Sequence, residues 1–400
     1  MTRRPIEIAD KTMCCGCRAC ANVCPQDAIS FVADEYGFYY PQIDESKCTK
    51  CGLCKDACTF GDAQKVQQVV PLKACAAVNT DVEKLKHSSS GGVFRALAEY
   101  VLNIGGAVCG CILDQAMHTV HICAETIDGV MQICGSKYVQ SNVGFIYREA
   151  RARLKTGQFV LFTGTPCQVA GLYATLGWKR PDNLLTVDLV CHGVPSERIF
   201  HQYLKYLEKK YNTKIADFRF RSKKYGWQRW TTEYIDEKGR VKNLGKLSEF
   251  YIPAFTTGNI MRPGCFTCKY ACKERVGDIT IGDLWGQEKH NLSLNTQNGV
   301  SLCTFNNEKA LEIMKSVSDR VILREIDYET AVQGNRCLNA PTEKGNKWER
   351  YMEAVKADRI SDMAQAYIKT HKKVILRYKL KYCVPLSVFS FIRKKKYGRS

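Results

Sequence analysis

From residue 88 onward, short apolar runs alternate with segments in which apolar residues recur every three to four positions. The first kind of segment is typical of buried strands and the second of amphipathic helices. Strands are predicted at 106–113, 159–163, 184–190, 218–221, 278–282 and 300–305, and helices over 93–102, 167–176 and 197–210. Strand, turn and helix follow one another in this way in parallel sheets. We therefore expect an α/β domain with a mixed, partly parallel sheet.

The first 58 residues have a different pattern, in which cysteine dominates. Two runs share the spacing C-x-x-C-x-x-C-x-x-x-C, and the aromatic segment 34–44 between them predicts a hairpin. The eight cysteines of these runs are Cys14, Cys17, Cys20, Cys24, Cys48, Cys51, Cys54 and Cys58. The spacing is that of bacterial ferredoxins with two clusters, in which the fourth cysteine of each run ligates the other cluster. Cys58 would therefore complete the first cluster and Cys24 the second.

Zinc and disulfides are the alternative explanations for these cysteines. Structural zinc sites usually use two separated C-x-x-C pairs, often with histidine, whereas here three cysteines share one turn and no histidine is near. Disulfides need an oxidising compartment, and residues 1–10 lack the apolar core of a secretory signal. We predict two 4Fe-4S clusters and a cytoplasmic location.

Composition and motif positions divide the chain into four parts. It has 400 residues, of which 45% are hydrophobic and 25% are charged, as in ordinary proteins of two or three domains. We predict a ferredoxin domain over 1–68, a connector over 69–87, the α/β domain over 88–350 in two parts (88–155 and 156–350), and a basic helical tail over 351–400. With the ferredoxin domain in front, the whole chain is α+β.

The formal net charge of +19 is concentrated in that tail. Residues 369–400 contain eleven lysines or arginines and no acidic residue, and the apolar segment 384–392 precedes the basic segment 393–396. Such a segment can lie on an anionic membrane surface, here the inner face of the membrane; a solvated tail that touches a protein partner is the alternative. No nucleic-acid-binding module accompanies the charge, so we expect no nucleic-acid partner. No apolar run reaches the length of a membrane span.

A third group of cysteines lies in the α/β domain. Cys167 and Cys191 each follow a predicted parallel strand, and the carboxyl ends of such strands meet at the ligand-binding edge of a sheet. Cys265 and Cys268 form a C-x-x-C pair, with Cys272 four residues later. Two plus two thiolates suffice for a third cluster. Cys272 could replace one of the four, or a zinc ion could bind to the last three cysteines.

At these residues the chain resembles the coenzyme F-420 hydrogenase/dehydrogenase beta-subunit family. The resemblance rests on the Cys265/Cys268 pair and on SSSGG at 88–92, GSKYVQS at 135–141, GTPCQVAGL at 164–172, DLVCHGVPS at 188–196 and GDITIGDLWG at 277–286. Members of this family carry a flavin and an iron–sulfur cluster. Many relatives lack a cysteine that matches Cys272, so the resemblance favours Cys167, Cys191, Cys265 and Cys268 as ligands.

The resemblance also implies an FAD site. Backbone N–H groups at a glycine-rich helix start could bind the flavin phosphates, Lys137 could add positive charge, and Asp283 could contact the flavin or shape its site. The expected FAD-binding residues are Ser88, Ser89, Ser90, Gly91, Gly92, Lys137, Gly164, Thr165, Gln168 and Asp283. No G-x-G-x-x-G follows a strand, so a nicotinamide site is not proposed.

His192, next to Cys191, is the one candidate for a catalytic residue. It could donate a hydrogen bond to a cluster sulfur, give a proton to the flavin, or simply stabilise its turn. The resulting hypothesis is an oxidoreductase in which electrons pass from the ferredoxin clusters through a third cluster to FAD, and on to a small-molecule acceptor or redox partner. The alternatives are a non-catalytic electron-transfer subunit of a larger hydrogenase or dehydrogenase, and an accessory protein of cell-surface polysaccharide synthesis.

Overall fold

The N-terminal module consists of two short helices and one hairpin. The structure is a computed structural model and describes residues 6–8, 10–60, 68–247, 249–287, 292–294 and 296–383. Its first elements are α1 (Ala19–Asn22), β1 (Ile29–Ala33), β2 (Tyr39–Ile43) and α2 (Leu53–Asp56). The antiparallel β1–β2 pair confirms the predicted hairpin, although its first strand begins earlier than residue 34.

Eleven further strands follow in the described part of the chain. They are β3 (Lys73–Asn79), β4 (Ala107–Leu113), β5 (Thr119–Ala124), β6 (Val160–Gly164), β7 (Leu184–Leu189), β8 (Ile215–Ser222), β9 (Thr231–Asp236), β10 (Val241–Asn243), β11 (Ile279–Asp283), β12 (Ser301–Phe305) and β13 (Val321–Glu325). All six predicted strands are present.

Eight of these strands form one mixed sheet in the order β13-β3-β12-β11-β7-β6-β4-β5. The neighbours β4, β6, β7 and β11 run parallel. Because β12 is antiparallel to both β11 and β3, β3 runs in the same direction as these four. The carboxyl ends of five strands therefore meet at one edge. Strands β8, β9 and β10 form a separate antiparallel sheet.

The helices of this region are α3 (Val82–Lys86), α4 (Val93–Asn103), α5 (Ile127–Ile133), α6 (Ile146–Lys155), α7 (Pro166–Thr175), α8 (Glu197–Tyr211), α9 (Tyr251–Thr256), α10 (Glu308–Lys315), α11 (Tyr328–Gly334), α12 (Trp348–Lys356), α13 (Ile360–Thr370) and α14 (Lys372–Cys383). They cover both faces of the sheet. On β6, Leu161 packs with α4, α5 and α10, while Val160 and Phe162 pack with α6 and α7. This alternation follows from the two-residue period of a strand.

The segment 69–87, predicted as a connector, instead supplies an interior strand of the sheet. β3 pairs with β12 on one side and β13 on the other, and Cys75, Ala76 and Ala77 within it are almost fully buried. Alanine favours the helical conformation when tertiary contacts do not determine the local structure. Here the burial of small side chains between two neighbouring strands overrides that preference.

The predicted tail is helical, but its first part belongs to the core. Met352 and Val355 of α12 and Ile360 and Met363 of α13 are buried in the same cluster as residues of α8. The apolar segment 384–392 and the basic segment 393–396 lie outside the described residues, so the membrane-surface prediction stays a prediction. In the described part of the chain, every helix is too short or too polar to span a bilayer.

Two cysteines of the sheet form a pair that the sequence does not predict. Cys109 of β4 and Cys123 of β5 are directly opposite in the antiparallel register and form a disulfide. The two cysteines are 14 residues apart in the chain. The antiparallel register of β4 and β5 is what brings them together.

Two arginines of the α/β domain bind the ferredoxin module through backbone groups. Arg148 donates from Nη2 to the carbonyls of Ala21 (2.9 Å) and Cys24 (2.8 Å). Arg262, which has no exposed surface, donates from Nε to the Cys14 carbonyl (2.7 Å) and from Nη2 to the Tyr39 carbonyl (3.0 Å). The first cysteine run and the hairpin are thereby held in fixed positions against the α/β domain.

A buried ion pair connects the sheet to the segment that carries Cys265 and Cys268. Arg275 Nη2 lies 3.0 Å from Asp188 Oδ1 at the end of β7, and both side chains are almost completely buried. Arg275 Nη1 also donates to the carbonyls of Tyr270 (3.2 Å) and Cys272 (3.3 Å). The second Asp188 oxygen accepts from the backbone N–H of Gly277 at 3.0 Å. This ion pair therefore positions the loop after Cys268 against the strand before Cys191.

Replacing Asp188 by asparagine should destabilise the protein by about 3–5 kcal/mol, because it leaves the Arg275 charge buried without its partner. Anaerobic urea unfolding would measure this. Glu349→Gln is the matched control, since the Lys344–Glu349 pair is exposed (46% and 69%), and its loss should leave the stability nearly unchanged. Equal stability of Asp188→Asn and the wild type would show that this pair does not hold the loop.

Candidate redox-cofactor site

The structure brings the eight N-terminal cysteines together as two crossed sets. Cys48, Cys51 and Cys54 line one pocket with Cys24. The Cys20 thiol interacts electrostatically with the thiols of Cys14 and Cys58, and the Cys17 thiol interacts with that of Cys20. These are the two groupings that the ferredoxin spacing predicts. Backbone donors face their sulfurs, with Ala28 N 3.3 Å from Cys24 Sγ and Ile6 N 3.3 Å from Cys54 Sγ.

The four cysteines predicted to hold a third cluster line a single cavity. Cys167 stands in the first turn of α7 behind β6, and Cys191 directly follows β7. Cys265 and Cys268 face them from the loop after α9. Cys272 does not line this cavity; its thiol accepts from Gln68 Nε2 (3.3 Å) and donates to the Lys269 carbonyl (3.3 Å).

Burial raises the pKa of the Cys191, Cys265 and Cys268 thiols, for Cys265 to about 12 and for Cys268 to about 11. The pKa of Cys167 is raised mainly by its hydrogen bond with the Cys15 thiol and further by burial. Thiols in such surroundings remain protonated unless a metal centre stabilises the thiolate. Four cysteines converge here, and the described residues of the wall include no carboxylate. This donor set suits an iron–sulfur cluster or zinc.

A fifth cysteine connects this cavity with the ferredoxin module. Cys15 lines the cavity, and hydrogen bonds with the Cys167 and Cys17 thiols hold the pKa of Cys15 well below its usual range. Thr59 Oγ1 lies 3.6 Å from both Cys15 Sγ and Cys17 Sγ. The first ferredoxin set and the third set are thus separated by little more than one side chain.

The residues expected to bind FAD come mainly from three loops, 88–92, 135–137 and 164–168, and these loops line one cleft of about 630 Å³ at the carboxyl edge of the sheet. Its wall includes residues of all three loops, namely Ser88, Ser89, Ser90, Gly92, Gly135, Ser136, Lys137, Gly164, Thr165 and Gln168. The cleft shares Thr165, Cys191, His192 and Cys337 with the cysteine cavity. A molecule in the cleft would therefore lie directly beside the third group of cysteines.

Gly91 is the one residue of the SSSGG segment that does not line the cleft. Its backbone N–H donates to Ser301 Oγ at 2.9 Å, and a Cβ there would lie 2.1 Å from the Ala77 carbonyl oxygen. Its backbone N–H is thus already used, and the geometry favours a packing role for Gly91 over phosphate binding. The glycine allows the chain to pass closely over β3 and β12, so a larger residue would disturb the fold itself. Gly92 takes the left-handed conformation (φ +75°) that begins α4.

Lys137 lies in the wall of the cleft, but its three donors are already used. Its Nζ donates to the carbonyls of Gln132 (2.8 Å), Ile133 (2.8 Å) and Cys134 (2.9 Å) at the end of α5. Burial lowers the pKa of Lys137. This lysine contributes positive charge to the cleft, whereas its hydrogen bonds stabilise the helix end.

Gln168 and Thr165 fix the start of α7 beside the cleft. Gln168 Oε1 accepts from the Thr165 backbone N–H (2.9 Å), and its Nε2 donates to Ser141 Oγ (2.8 Å). This cap joins the loop that precedes Cys167 to the segment around Ser141. Gly164 lies directly before it and would contact Gln168 through any added side chain.

Asp283 is bound by protein groups on both carboxylate oxygens. Oδ1 accepts from Trp227 Nε1 at 2.9 Å, and Oδ2 forms an ion pair with Arg221. Of the two roles expected for Asp283, this geometry favours shaping the site over direct contact with a flavin.

His192 lies between the cysteine cavity and the cleft, with both ring nitrogens engaged. Its Nε2 is 3.2 Å from the Thr256 carbonyl, and its Nδ1 is 3.1 Å from Thr342 Oγ1. Burial lowers the pKa of His192. A neutral ring whose Nε2–H donates to a carbonyl is oriented rather than free to transfer a proton, so the geometry favours a structural role.

Sequence reasoning missed several residues of the site. Cys15 is surplus to the ferredoxin spacing, although its position next to Cys14 is a signal, and nothing in the local sequence marks Cys337. Arg221 and the aromatic residues Tyr138 and Phe255, which stack at 4.8 Å between ring centroids, also line the cleft. They reach it from separate segments of the chain, so no spacing in the sequence connects them.

Comparison with known proteins matches two separate parts of the chain to protein families. Residues 157–330 match the family described as the C terminus of the coenzyme F420 hydrogenase/dehydrogenase beta subunit. Residues 13–61 match the family described as the 4Fe-4S dicluster domain. The chain therefore carries, over residues 157–330, a domain of the coenzyme F420 hydrogenase/dehydrogenase beta-subunit family. In front of that domain it carries a 4Fe-4S ferredoxin domain, and it is an iron–sulfur protein related to electron-transfer oxidoreductases.

Two relatives from Methanocaldococcus jannaschii are similar to separate parts of the chain. A coenzyme F420-dependent sulfite reductase is 27% identical over 172 residues, which are 42% of this chain and 26% of that protein. The chain thus spans about a quarter of that relative's length. An uncharacterized ferredoxin is 37% identical over 66 residues, which are 16% of this chain and 83% of the ferredoxin.

A solved structure of the F420-reducing [NiFe] hydrogenase complex from Methanosarcina barkeri contains a chain that matches the present chain. The match covers 78% of the present chain and 95% of that chain. Its sequence identity is 19% and its TM-score is 0.45.

Replacing Cys268 by alanine should remove about four iron atoms per chain, the content of one cube, from anaerobically purified protein. Cys272→Ala is the control and should keep all iron, because its thiol lies outside the cavity. Iron and zinc analysis of both variants measures this. If Cys272→Ala lost as much iron as Cys268→Ala, the ligand set would be wrong; zinc in place of iron would exclude the cluster.

Proposed function

We propose that the chain is an iron–sulfur flavoprotein oxidoreductase. Its ferredoxin module would hold two 4Fe-4S clusters, and Cys167, Cys191, Cys265 and Cys268 would hold a third. The adjoining cleft would hold FAD. Electrons would pass from the ferredoxin clusters to the third cluster and the flavin, and then to a two-electron acceptor, either a deazaflavin coenzyme or another organic molecule. A bound flavin supplies the exchange between one-electron and hydride chemistry.

The observation that carries this proposal is the continuity of the cysteine groups with the cleft. Cys15 interacts with Cys17 on the ferredoxin side and with Cys167 on the side of the third group. Cys191 and Cys337 in turn lie in the wall shared by the cysteine cavity and the cleft. Within the described part of the chain, no large element separates one group from the next, as short electron-transfer steps require.

The wall of the cleft supports a large, partly aromatic ligand. A row of rings runs along it, with His192 and Phe255 at 5.2 Å, Phe255 and Tyr138 at 4.8 Å, and Tyr138 and Trp230 at 6.4 Å between centroids. Aromatic walls with a few oriented polar groups are typical of cofactor sites. The row begins beside Cys191, where an electron-accepting ring system would have to lie.

The chain's own side chains would orient the cofactors and limit access of water. The Asp188–Arg275 pair holds the Cys265/Cys268 loop against Cys191, and the Gln168 cap fixes the turn before Cys167. His192 is oriented by Thr256 and Thr342, which leaves its ring against Phe255. Buried, preoriented groups of this kind change little when the charge of a neighbouring centre changes.

The proposal is tested by the cofactor content and by flavin reduction. Anaerobically purified protein should contain stoichiometric FAD, and a low-potential one-electron donor should bleach the flavin absorbance. In Cys20→Ala, which lacks a ligand of the first ferredoxin set, the same donor should reduce the flavin much more slowly. A chain with iron but without flavin would instead be an electron-transfer subunit. Unchanged flavin reduction in Cys20→Ala would exclude the ferredoxin module as the entry point.

A bulky residue at Ser89 should empty the cleft without affecting the clusters. Ser89 lines the cleft, where Ser136 Oγ donates to its Oγ at 3.0 Å. We expect Ser89→Phe to bind FAD at least tenfold more weakly, a loss of about 1.4 kcal/mol, and to keep its iron. Ser316→Phe, at an exposed position after α10, is the control and should bind FAD as the wild type does. Wild-type FAD affinity in Ser89→Phe would place the flavin elsewhere.

A further inference from the structure

Arg221 lies at an irregular point of the small sheet and points into the cleft. In the β8–β9 pair, Arg219 is opposite Glu233 but Ser222 is opposite Thr231, so β8 contains one extra residue between them. A bulge of this kind turns a side chain away from the regular alternation, and bulges are common beside binding sites. The Arg221 side chain is 3% exposed and forms part of the cleft wall.

The guanidinium is held by one carboxylate and two indole rings. Its Nη1 forms an ion pair with Asp283, and its centre lies 5.0 Å from the Trp230 ring centroid and 5.5 Å from that of Trp285. Asp283 is fixed in turn by Trp227 Nε1, and the Trp227 ring stacks on Trp285 at 5.2 Å. The position and orientation of Arg221 are therefore set before any ligand binds.

The other edge of the same guanidinium lacks hydrogen-bond partners among the described residues. Nε and Nη2 of Arg221 are buried and make no hydrogen bond to any residue that the structure describes. The Tyr138 hydroxyl lies close enough to interact with the guanidinium, but not as a partner of these two donors. Buried donors in proteins are nearly always paired, and leaving two of them unpaired is unfavourable. Nε–H and Nη2–H point in parallel along one edge, which matches two oxygens of a phosphate, sulfonate or carboxylate group.

The charge of the surrounding wall also favours an anion. Among the described residues that line the cleft, Asp283 is the one carboxylate, and it is already paired with Arg221. The cationic residues of the wall are Arg95, Lys137, Arg221, Lys246 and Arg336. The Nζ of Lys246 lies 4.5 Å from the Trp230 ring centroid, on the same indole that borders Arg221.

We propose that the Nε–Nη2 edge of Arg221 binds an oxyanion of a molecule in the cleft. The chemistry is that of a phosphate, sulfonate or carboxylate group, and two molecules could supply it: the flavin, through its diphosphate, or the electron acceptor, through an acidic substituent. Which molecule brings the oxyanion rests on the proposed function, whereas the oxyanion site itself rests on the unpaired, preoriented edge of Arg221.

Anaerobically prepared Arg221→Gln and Arg221→Lys proteins test the site with FAD, riboflavin and inorganic sulfate as probes. If Arg221 binds the flavin diphosphate, Arg221→Gln should weaken FAD about tenfold or more, the usual effect of losing a charge-assisted pair of hydrogen bonds. Riboflavin, which has no phosphate, should change less than about twofold. If Arg221 binds the acceptor, FAD affinity should stay unchanged while sulfate binding to flavin-loaded protein, seen as a shift of flavin absorbance, weakens about tenfold.

Arg221→Lys separates the oxyanion role from folding, because lysine keeps a charge for Asp283 but lacks the parallel donor edge. It should melt like the wild type and show intermediate affinity. Arg219→Gln, on the same strand but 55% exposed and paired with Asp217, is the matched control and should behave as wild type.

Wild-type affinity of Arg221→Gln and Arg221→Lys for both FAD and sulfate would overturn the oxyanion site. If the wild-type chain binds no flavin, the proposed function fails separately. Sulfate binding to the chain as isolated, followed by tryptophan fluorescence, then still decides whether Arg221 binds an oxyanion.

Discussion

The buried ion pair between Asp188 and Arg275 sets the relation between the sheet and the loop that completes the cysteine cavity. Cys191 is placed by β7, but Cys265 and Cys268 come from an irregular segment with little regular hydrogen bonding of its own. Arg275 binds that segment through two carbonyls and binds β7 through Asp188. Since a buried charge tolerates few positions without its partner, the pair gives the loop one defined place.

A second buried arginine, Arg262, holds the ferredoxin module, but in the described part of the chain the negative charge near it does not come from a carboxylate. Arg262 is fully buried, stacks on the Tyr40 ring at 4.4 Å, and forms no ion pair with a carboxylate of the described residues. Its Nη2 lies 3.5 Å from Cys14 Sγ instead. A buried guanidinium is stable only if negative charge lies near it, and thiolates bound to an iron–sulfur cluster would provide that charge. Assembly of the clusters and attachment of the module would then stabilise each other.

The parallel part of the sheet explains how the cysteine cavity and the cleft come to lie at one edge. Parallel pairing of β4, β6, β7 and β11 brings their carboxyl ends together, so that Cys167 and Cys191 follow neighbouring strands and Asp283 ends the next one. The cysteine cavity lies on the side of the ferredoxin module, and the cleft opens toward the small sheet. Residues such as His192 and Cys337 belong to both walls, and their hydrogen bonds stiffen the boundary between them.

The sequence by itself determined the ferredoxin spacing, the strand–turn–helix units and the two cysteine pairs that face each other. These features are local, because ligand spacing and hydrophobic periodicity act over a few residues. Tertiary structure alone decided the rest. It placed the alanine-rich segment 73–79 inside the sheet, packed α12 and α13 on the core, and turned Gly91 away from the cleft. It also brought Cys15 between two cysteine groups and Arg221 between two tryptophans. Contacts of this kind depend on register and burial between distant segments, which no local pattern specifies.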